Sequence, residues 1–248
     1  MSKTGIIIQA RLGSTRMPWK VVKPFYQGRS ILDIQINHLK EAFPEIPLVL
    51  ATSVNSENDP LIQVADNLEV ELFRGSENDV LDRFIKAADH FDFDRVVRIC
   101  SDNPLLYVQS INELIHSEAD YAAFSLADGT PTIKTHYGFW PEIVSVGALK
   151  KAAILTNDSF YHEHVTNFIY THPEEFRLKL KPIPEVIEQE KSIRTTIDTP
   201  EDFDNIANLY THLVAAECPM DPTAITNFIV ENPGYMTKMQ EQIEKNSK

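Results

Sequence analysis

Residues 5 to 8, Gly-Ile-Ile-Ile, form an apolar run without polar alternation, and the segment that follows, Ala10-Arg11-Leu12-Gly13-Ser14-Thr15-Arg16-Met17-Pro18-Trp19-Lys20, contains bases but no acid. A strand that is apolar at every position is buried on both faces, the habit of a central strand in an α/β sheet. The segment 10–20 then leaves the carboxyl end of that strand, where open α/β sheets hold their ligands. Within it, Ala10, Gly13 and Ser14 allow backbone N–H groups to approach a phosphate.

Charge points the same way. The chain has a formal net charge of -13, yet residues 1 to 32 hold Lys3, Arg11, Arg16, Lys20, Lys23 and Arg29 and no Asp or Glu. Arg can grip phosphate oxygens bidentately, and Lys supplies a compact charge. The alternative is a solvated basic face, which needs neither Gly13-Ser14 nor a strand directly before it. The overall acidity opposes non-specific binding to nucleic acid or anionic lipid, so neither a nucleic acid nor a membrane is expected as a partner. No apolar run reaches membrane-spanning length, and the first residues lack the apolar core of a signal peptide. Cys100 and Cys218 form no CxxC pair, against a disulfide framework or a structural zinc site. These features together predict a cytoplasmic protein with one domain over residues 1–235 and a charged, fraying tail over 236–248.

The loop fits neither GxxxxGK[ST] nor GxGxxG. It resembles the RxGSxRxPxK signature that opens nucleotidyltransferases of the GT-A type. The chain is similar in particular to the cytidylyltransferases that make CMP-sugars: the acylneuraminate and Kdo enzymes and the SpsF-like branch of spore-coat polysaccharide biosynthesis. That resemblance implies a Rossmann-like α/β fold with a mixed, mostly parallel sheet flanked by helices, and a homodimer. It also implies transfer of CMP from CTP to a hydroxyl of a small-molecule acceptor, a sugar or sugar acid, with Mg²⁺ as cofactor and pyrophosphate released. Arg11, Arg16 and Lys20 would stabilise the departing pyrophosphate. The rival readings are a nucleotidyltransferase using another nucleotide and a sugar 1-phosphate, and a nucleotide-binding relative without turnover.

The remaining chain alternates as such a fold requires. Ser30 and Asp33 form a capping-box pattern before the helical stripe Leu32, Ile36, Leu39. Leu48–Ala51 reads as a strand, and Asp59-Pro60 as the N-cap and first residue of a helix carrying Leu61, Val64, Ala65 and Leu68. A strand at Val70–Phe73 precedes Arg74-Gly75-Ser76-Glu77-Asn78-Asp79-Val80-Leu81-Asp82-Arg83-Phe84. On its own this segment reads as a capped helix start with solvated charges; similarity to the RGSExDVLDRF stretch of SpsF-like proteins makes Ser76, Asp79 and Arg83 nucleotide-site candidates.

Arg95–Cys100 reads as a strand ending at Ser101-Asp102-Asn103-Pro104. A carboxylate at a strand's carboxyl end, opposite a basic loop, suits a hard cation, whereas an Asp before Asn-Pro also suits a plain turn. The family's acidic residue in its ITGDCPL-like pattern makes Asp102 the first metal ligand. A further strand is expected at Ile193–Ile197, before Asp198-Thr199-Pro200-Glu201-Asp202. Thr199, Pro200 and Asp202 account for a helix start and leave Asp198 unexplained. In Kdo cytidylyltransferases similar DTPED segments supply a metal-binding aspartate, a role the resemblance carries to Asp198.

Residues 128–141, rich in turn formers and aromatics, are expected to wall the site. Against the family's Gly-x-Asp-x-Glu-Val, Gly138-Phe139-Trp140-Pro141-Glu142-Ile143 keeps Glu142 and puts Trp140 where relatives have an acid. Glu163-His164-Val165-Thr166 resembles the family's EHVT, which makes Glu163 and His164 acceptor-site candidates with Glu142 and Trp140. Trp19 replaces a family glycine. Either its ring turns inward and narrows the loop, or φ there is negative and the side chain points away. The two tryptophans suggest an acceptor smaller or more apolar than a sialic or spore-coat sugar.

Overall fold

The isoleucine run does occupy the interior of a sheet. The computed structural model describes residues 2–246. Its strands are β1 Thr4–Gln9, β2 Leu48–Ser53, β3 Glu71–Gly75, β4 Arg95–Cys100, β5 Tyr121–Ser125, β6 Glu142–Ser145 and β7 Leu178–Pro182, in the spatial order β3-β2-β1-β4-β6-β5-β7. β1 pairs in parallel with β2 and with β4, Ile6 lying opposite Leu48 and Gln9 opposite Cys100. β6 runs antiparallel to β4 and β5, while β3–β2 and β5–β7 are parallel, so the sheet is mixed and mostly parallel.

The helices are α1 Ile31–Ala42, α2 Pro60–Asn67, α3 Val80–His90, α4 Ile111–Leu114, α5 Val146–Leu155, α6 Ser159–Glu163, α7 Asn167–Thr171, α8 Glu185–Glu188, α9 Pro200–Ala215, α10 Pro222–Glu231 and α11 Pro233–Asn246. They cover both faces. Ile6 and Ile8 pack in the core layer with α1, α9 and α10, and Ile7 in the opposite layer with α3, α5 and α7. That is why three consecutive apolar residues suit β1: side chains alternate between faces, and each face has helices to bury them against. Between β1 and β4 the strand order reverses direction. The crevice at their carboxyl ends is therefore the sheet's topological switch point.

Local patterns explain many of the boundaries. Ser30 and Asp33 make the reciprocal capping box at α1, and Thr199 and Asp202 make another at α9 with Pro200 in its first turn. Asp59 precedes α2 without capping it. Its carboxylate instead takes Arg74 Nη2 at 2.7 Å, because a guanidinium from β3 competes successfully for that oxygen.

Two expected elements are different. Residues 193–197 are not a strand: the N–H groups of Thr195 and Ile197 go to the loop carbonyls of His136 and Asp102, both at 2.9 Å, rather than to a neighbouring strand. Nor is 236–248 a frayed tail where it is described, since most of it is α11. There Met239 is 1% exposed, its Sδ accepts the Arg194 N–H at 3.4 Å, and Gln242 Oε1 accepts from Thr199 Oγ1 at 3.1 Å. α11 thus clamps the 193–199 segment from behind. Met239→Ala should lower stability by about 2–3 kcal/mol through the transfer and cavity terms, measured as a shift in the denaturant midpoint; a change under about 0.5 kcal/mol, the range of surface substitutions, would return residues 236–246 to a dispensable tail.

Candidate active site

The segment after β1 folds around Leu12. That side chain is buried, its N–H donates to Asn58 Oδ1 at 2.7 Å, and its carbonyl accepts from both Ser14 and Trp19 at 3.0 Å. A Cβ at Gly13 would stand 2.3 Å from Glu57 Oε1, the far end of an exposed side chain that can turn aside. The loop closes on Trp19, which adopts φ +64° and leaves its ring 49% exposed. Neither alternative drawn from the sequence holds in full: the side chain points away, yet the backbone is left-handed. The turn at Trp19 carries Lys20 inward to 8% exposure.

Lys20 is the hub. Its Nζ lies 3.2 Å from Asp102 Oδ2, 3.7 Å from Asp198 Oδ1 and 2.5 Å from the Ile197 carbonyl. Asp102 follows β4, whose exit loop is held by α1: Gln35 Nε2 donates to the carbonyls of Cys100 at 3.1 Å and Asn103 at 2.8 Å. Asp198 also receives Arg16 Nη2 and Arg194 Nη2, each at 2.9 Å. Two carboxylates from segments 96 residues apart thus converge on a single cation.

Around them a cavity of about 320 Å³ is lined by Ala10, Arg11, Ser14, Arg16 and Lys20 from the first loop, by Arg83, and by Asp102, Glu163, His164 and Asp198. Arg83 is buried, with Nη1 donating to the Ser76 carbonyl at 2.7 Å and Nε lacking any protein partner. Burial pushes its pKa down from the ordinary arginine value. Ser76 and Asp79 lie outside this lining and build the start of α3. Ser76 Oγ accepts from the Asp79 N–H at 3.0 Å, and Asp79 accepts from the Asp82 N–H at 2.8 Å and binds His162 Nδ1 at 2.8 Å. Their part is to place Arg83.

A second cavity, about 350 Å³, shares Cys100, Asp102, His164 and Asp198 with the first and adds Trp140, His136 and threonines from the 128–141 wall. Trp140 is packed against Phe124 with centroids 5.6 Å apart and is 7% exposed. Glu142 lies outside both linings. It is buried against Arg98 Nη1 at 2.6 Å, Thr166 Oγ1 at 3.1 Å and the Tyr121 hydroxyl, tying β4, β5 and β6 together. Glu163 and His164 line the cavity, and Val165 directly after them has φ +29°, rare for a β-branched residue. Burial pushes the Cys100 thiol up to about 11, so it stands in the wall as a neutral group rather than a nucleophile.

The sequence does not single out Asn58, Gln35 or Arg194, and it places His136 in the expected wall without giving it a role. Arg194 is 1% exposed and donates to both oxygens of Asp202 at 2.8 Å, to Asp198 at 2.9 Å and to His136 Nδ1 at 2.8 Å. No local pattern announces it; the only signal is a basic residue four positions before an otherwise unexplained Asp198.

A family model described as Cytidylyltransferase matches residues 5–224. The chain belongs to this cytidylyltransferase family. It is 32% identical over 240 residues to the spore coat polysaccharide biosynthesis protein SpsF of Bacillus subtilis, covering 94% of this chain and 97% of that one. An uncharacterized protein of Methanocaldococcus jannaschii is 35% identical over 227 residues, 92% of this chain and 90% of that protein. Among solved structures, a cytidylyltransferase from Leptospira borgpetersenii superposes with a TM-score of 0.82 at 26% identity, over 95% of this chain and 97% of that one. A CMP-Kdo synthetase complexed with CTP gives 0.61 at 14% identity, over 85% and 99%, and shares the fold. Among the described residues, no helix is long and apolar enough to cross a membrane.

Two outcomes follow from the local chemistry. Trp19→Gly should raise stability by roughly 0.5–1 kcal/mol, the relief of left-handed strain exceeding the added backbone entropy of the unfolded chain; a lower denaturant midpoint would contradict it. Desolvation, with Arg194 alongside, holds the His136 pKa below its ordinary 6.5. The folded state then binds fewer protons than the unfolded one, so this contribution to stability is present above pH 6.5 and is lost as pH falls through the folded value. Denaturation series across that range should show the loss in the wild type and a smaller one in His136→Gln; identical slopes would contradict the assignment.

Proposed function

We propose that the first cavity binds CTP and that the protein transfers CMP to an acceptor hydroxyl, releasing pyrophosphate. The observation that carries this reading is the convergence of Arg11, Arg16, Lys20 and Arg83 with Asp102 and Asp198 at the carboxyl ends of β1 and β4. Membership of the cytidylyltransferase family supports the reaction class, and the CTP bound in the CMP-Kdo synthetase supports the nucleotide.

In this reading the acceptor oxygen attacks the α-phosphorus, the bond from that phosphorus to the bridging oxygen breaks, and pyrophosphate leaves with the electron pair. The hydroxyl proton is released. Little covalent work falls to the protein; positioning and charge dominate. Arg11 and Arg16, whose side chains are 46% and 50% exposed, would exchange their ion pairs with Glu77 and Asp198 for phosphate oxygens. Arg83 offers its unpartnered Nε. Leu12, Asn58 and the Trp19 turn keep the loop's backbone in place, so that ordering entropy is spent in folding rather than at binding.

Asp102 and Asp198 fit a divalent cation. Both are acidic oxygen donors, both face the cavities, and they already converge on the Lys20 ammonium. Mg²⁺ is an ion held through one or two carboxylates together with phosphates and water, a donor set that Asp102, Asp198 and a triphosphate would supply. Such an ion would neutralise charge on the phosphate oxygens. A homodimer in the cytoplasm, making precursors for surface polysaccharide, completes the reading; the relationship to SpsF supports that pathway.

CTP with Mg²⁺ should stabilise the protein thermally more than UTP, ATP or GTP, by roughly 2.7 kcal/mol at about 100 times its dissociation constant. An equal shift with another nucleotide would move the assignment to that base. Asp102→Asn and Asp198→Asn should each lower turnover roughly a hundredfold or more, and the double variant little further if they act as a unit. Near-normal pyrophosphate release by either single variant would return that aspartate to a turn or a brace.

A further inference from the structure

Beyond the shared wall, the second cavity is lined by Asn103, Thr132, Thr135, His136, Trp140 and Thr196. These are hydroxyls, an amide, an imidazole and an indole, groups that recognise hydroxyl-bearing molecules without net charge. Among its described lining residues the formal charges are those of Asp102 and Asp198, and no lysine or arginine joins them. This differs sharply from the first cavity, where Arg11, Arg16, Lys20 and Arg83 gather. The triphosphate, itself strongly anionic, would occupy those cations. Asp102 and Asp198 are themselves compensated, by Arg194 and by the divalent cation of the cytidylyl-transfer reading, so a carboxylate or phosphate on the acceptor would find no lysine or arginine of the second cavity's lining left to pair with it.

The guanidinium behind this wall is already committed. Arg194 is 1% exposed, spans Asp202 and Asp198, and gives its remaining Nη1 to His136 Nδ1 at 2.8 Å. A guanidinium only donates, so His136 Nδ1 accepts, and the neutral ring carries its proton on Nε2. Arg194 thereby fixes the tautomer, as a partner on the far ring nitrogen does in metal sites. The Nε2–H remains as a donor on a residue of the cavity lining. Its neighbours extend the neutral character: Thr196 Oγ1 donates to the His136 carbonyl at 2.9 Å and keeps its lone pairs as acceptors, while Thr135 Oγ1 donates to the Thr132 carbonyl at 2.6 Å, accepts from the Tyr137 N–H at 3.3 Å and keeps one.

We propose that the second cavity receives a hydroxyl-rich acceptor without negative charge, a neutral sugar or polyol rather than a sugar acid or sugar phosphate, with His136 Nε2–H as the donor that orients it. The proposal rests on the cytidylyl-transfer reading. It assigns His136 a part in acceptor choice and Arg194 the positioning of His136.

The test is pyrophosphate release from CTP with a panel of matched acceptors, each neutral sugar or polyol beside its acid and its phosphate. The neutral member should exceed its charged counterparts in kcat/KM by about tenfold or more. His136→Leu should lose about tenfold in kcat/KM for the neutral acceptor while KM for CTP stays within about twofold. His136→Gln, whose amide can still accept from Arg194 and donate onward, should keep most of it and guards against a mere folding defect. Thr135→Lys should move the ranking about tenfold toward the acids. A panel in which no neutral member reacts, or in which an acid or phosphate is preferred, overturns the proposal, as does a Thr135→Lys variant whose ranking is unmoved or a His136→Leu variant that keeps the wild-type kcat/KM. CTP-induced thermal stabilisation, measured without acceptor, separates the two levels. If it is present while acids are preferred, only this inference fails; if it is absent, the nucleotide reading fails with it.

Discussion

One buried ammonium holds the site together. Lys20 Nζ joins the loop after β1 to Asp102 after β4 and to Asp198 and the Ile197 carbonyl before α9. Asp198 has Arg16 and Arg194 at 2.9 Å as well, whereas among the described residues Lys20 is the ion-pair partner of Asp102, so removing that charge would leave the Asp102 carboxylate unpaired in the crevice. The ammonium therefore sets the spacing of three segments that share no continuous secondary structure. Everything around it serves to keep Lys20 inward: the Leu12 peg, the Asn58 bond and the left-handed turn at Trp19.

The second constraint lies behind the cluster. Arg194 binds Asp202, the third residue of α9 and partner of Thr199 in its capping box, and Asp198, the cavity carboxylate, so the helix start and the site are mechanically one object. α11 seals this from outside through Met239 and Gln242. The left-handed Val165 stands between Glu163 and His164, which line the cavity, and Thr166, which bonds Glu142 inside the sheet. Strain of this sort survives only where surrounding packing over-determines the backbone, and Val165 is fully buried.

Features set by nearest neighbours were legible in the amino-acid sequence. The buried β1, both capping boxes and the acid-free loop each depend on a few adjacent residues, and all take the form their chemistry demands. The family resemblance added what spacing alone left open, namely that Asp102 and Asp198 meet. What stayed illegible was the competition between local and distant partners. Asp59 looks like a helix cap until Arg74 takes its carboxylate, and 193–197 looks like a strand until its N–H groups go to loop carbonyls some 60 and 95 residues away. Ser76 and Asp79 match a nucleotide motif, but their bonds are spent on α3 and on His162, leaving Arg83 to face the cavity. The segment of His136 is legible as a wall, but the part of His136 itself is not, because its ring is oriented by an arginine 58 positions away.

The central claim is that the cations and carboxylates at the β1–β4 crevice form a nucleotide triphosphate site. A crystal structure with CTP and Mg²⁺ tests it most directly. The account predicts triphosphate density between the 10–20 loop and Arg83, with the metal ion between Asp102 and Asp198 and the Lys20 ammonium turned from the carboxylates toward phosphate. Nucleotide bound instead in the larger cavity of about 710 Å³ beside Lys40 and Glu69, at the far end of the sheet, with the Lys20 bridge unchanged, would contradict it.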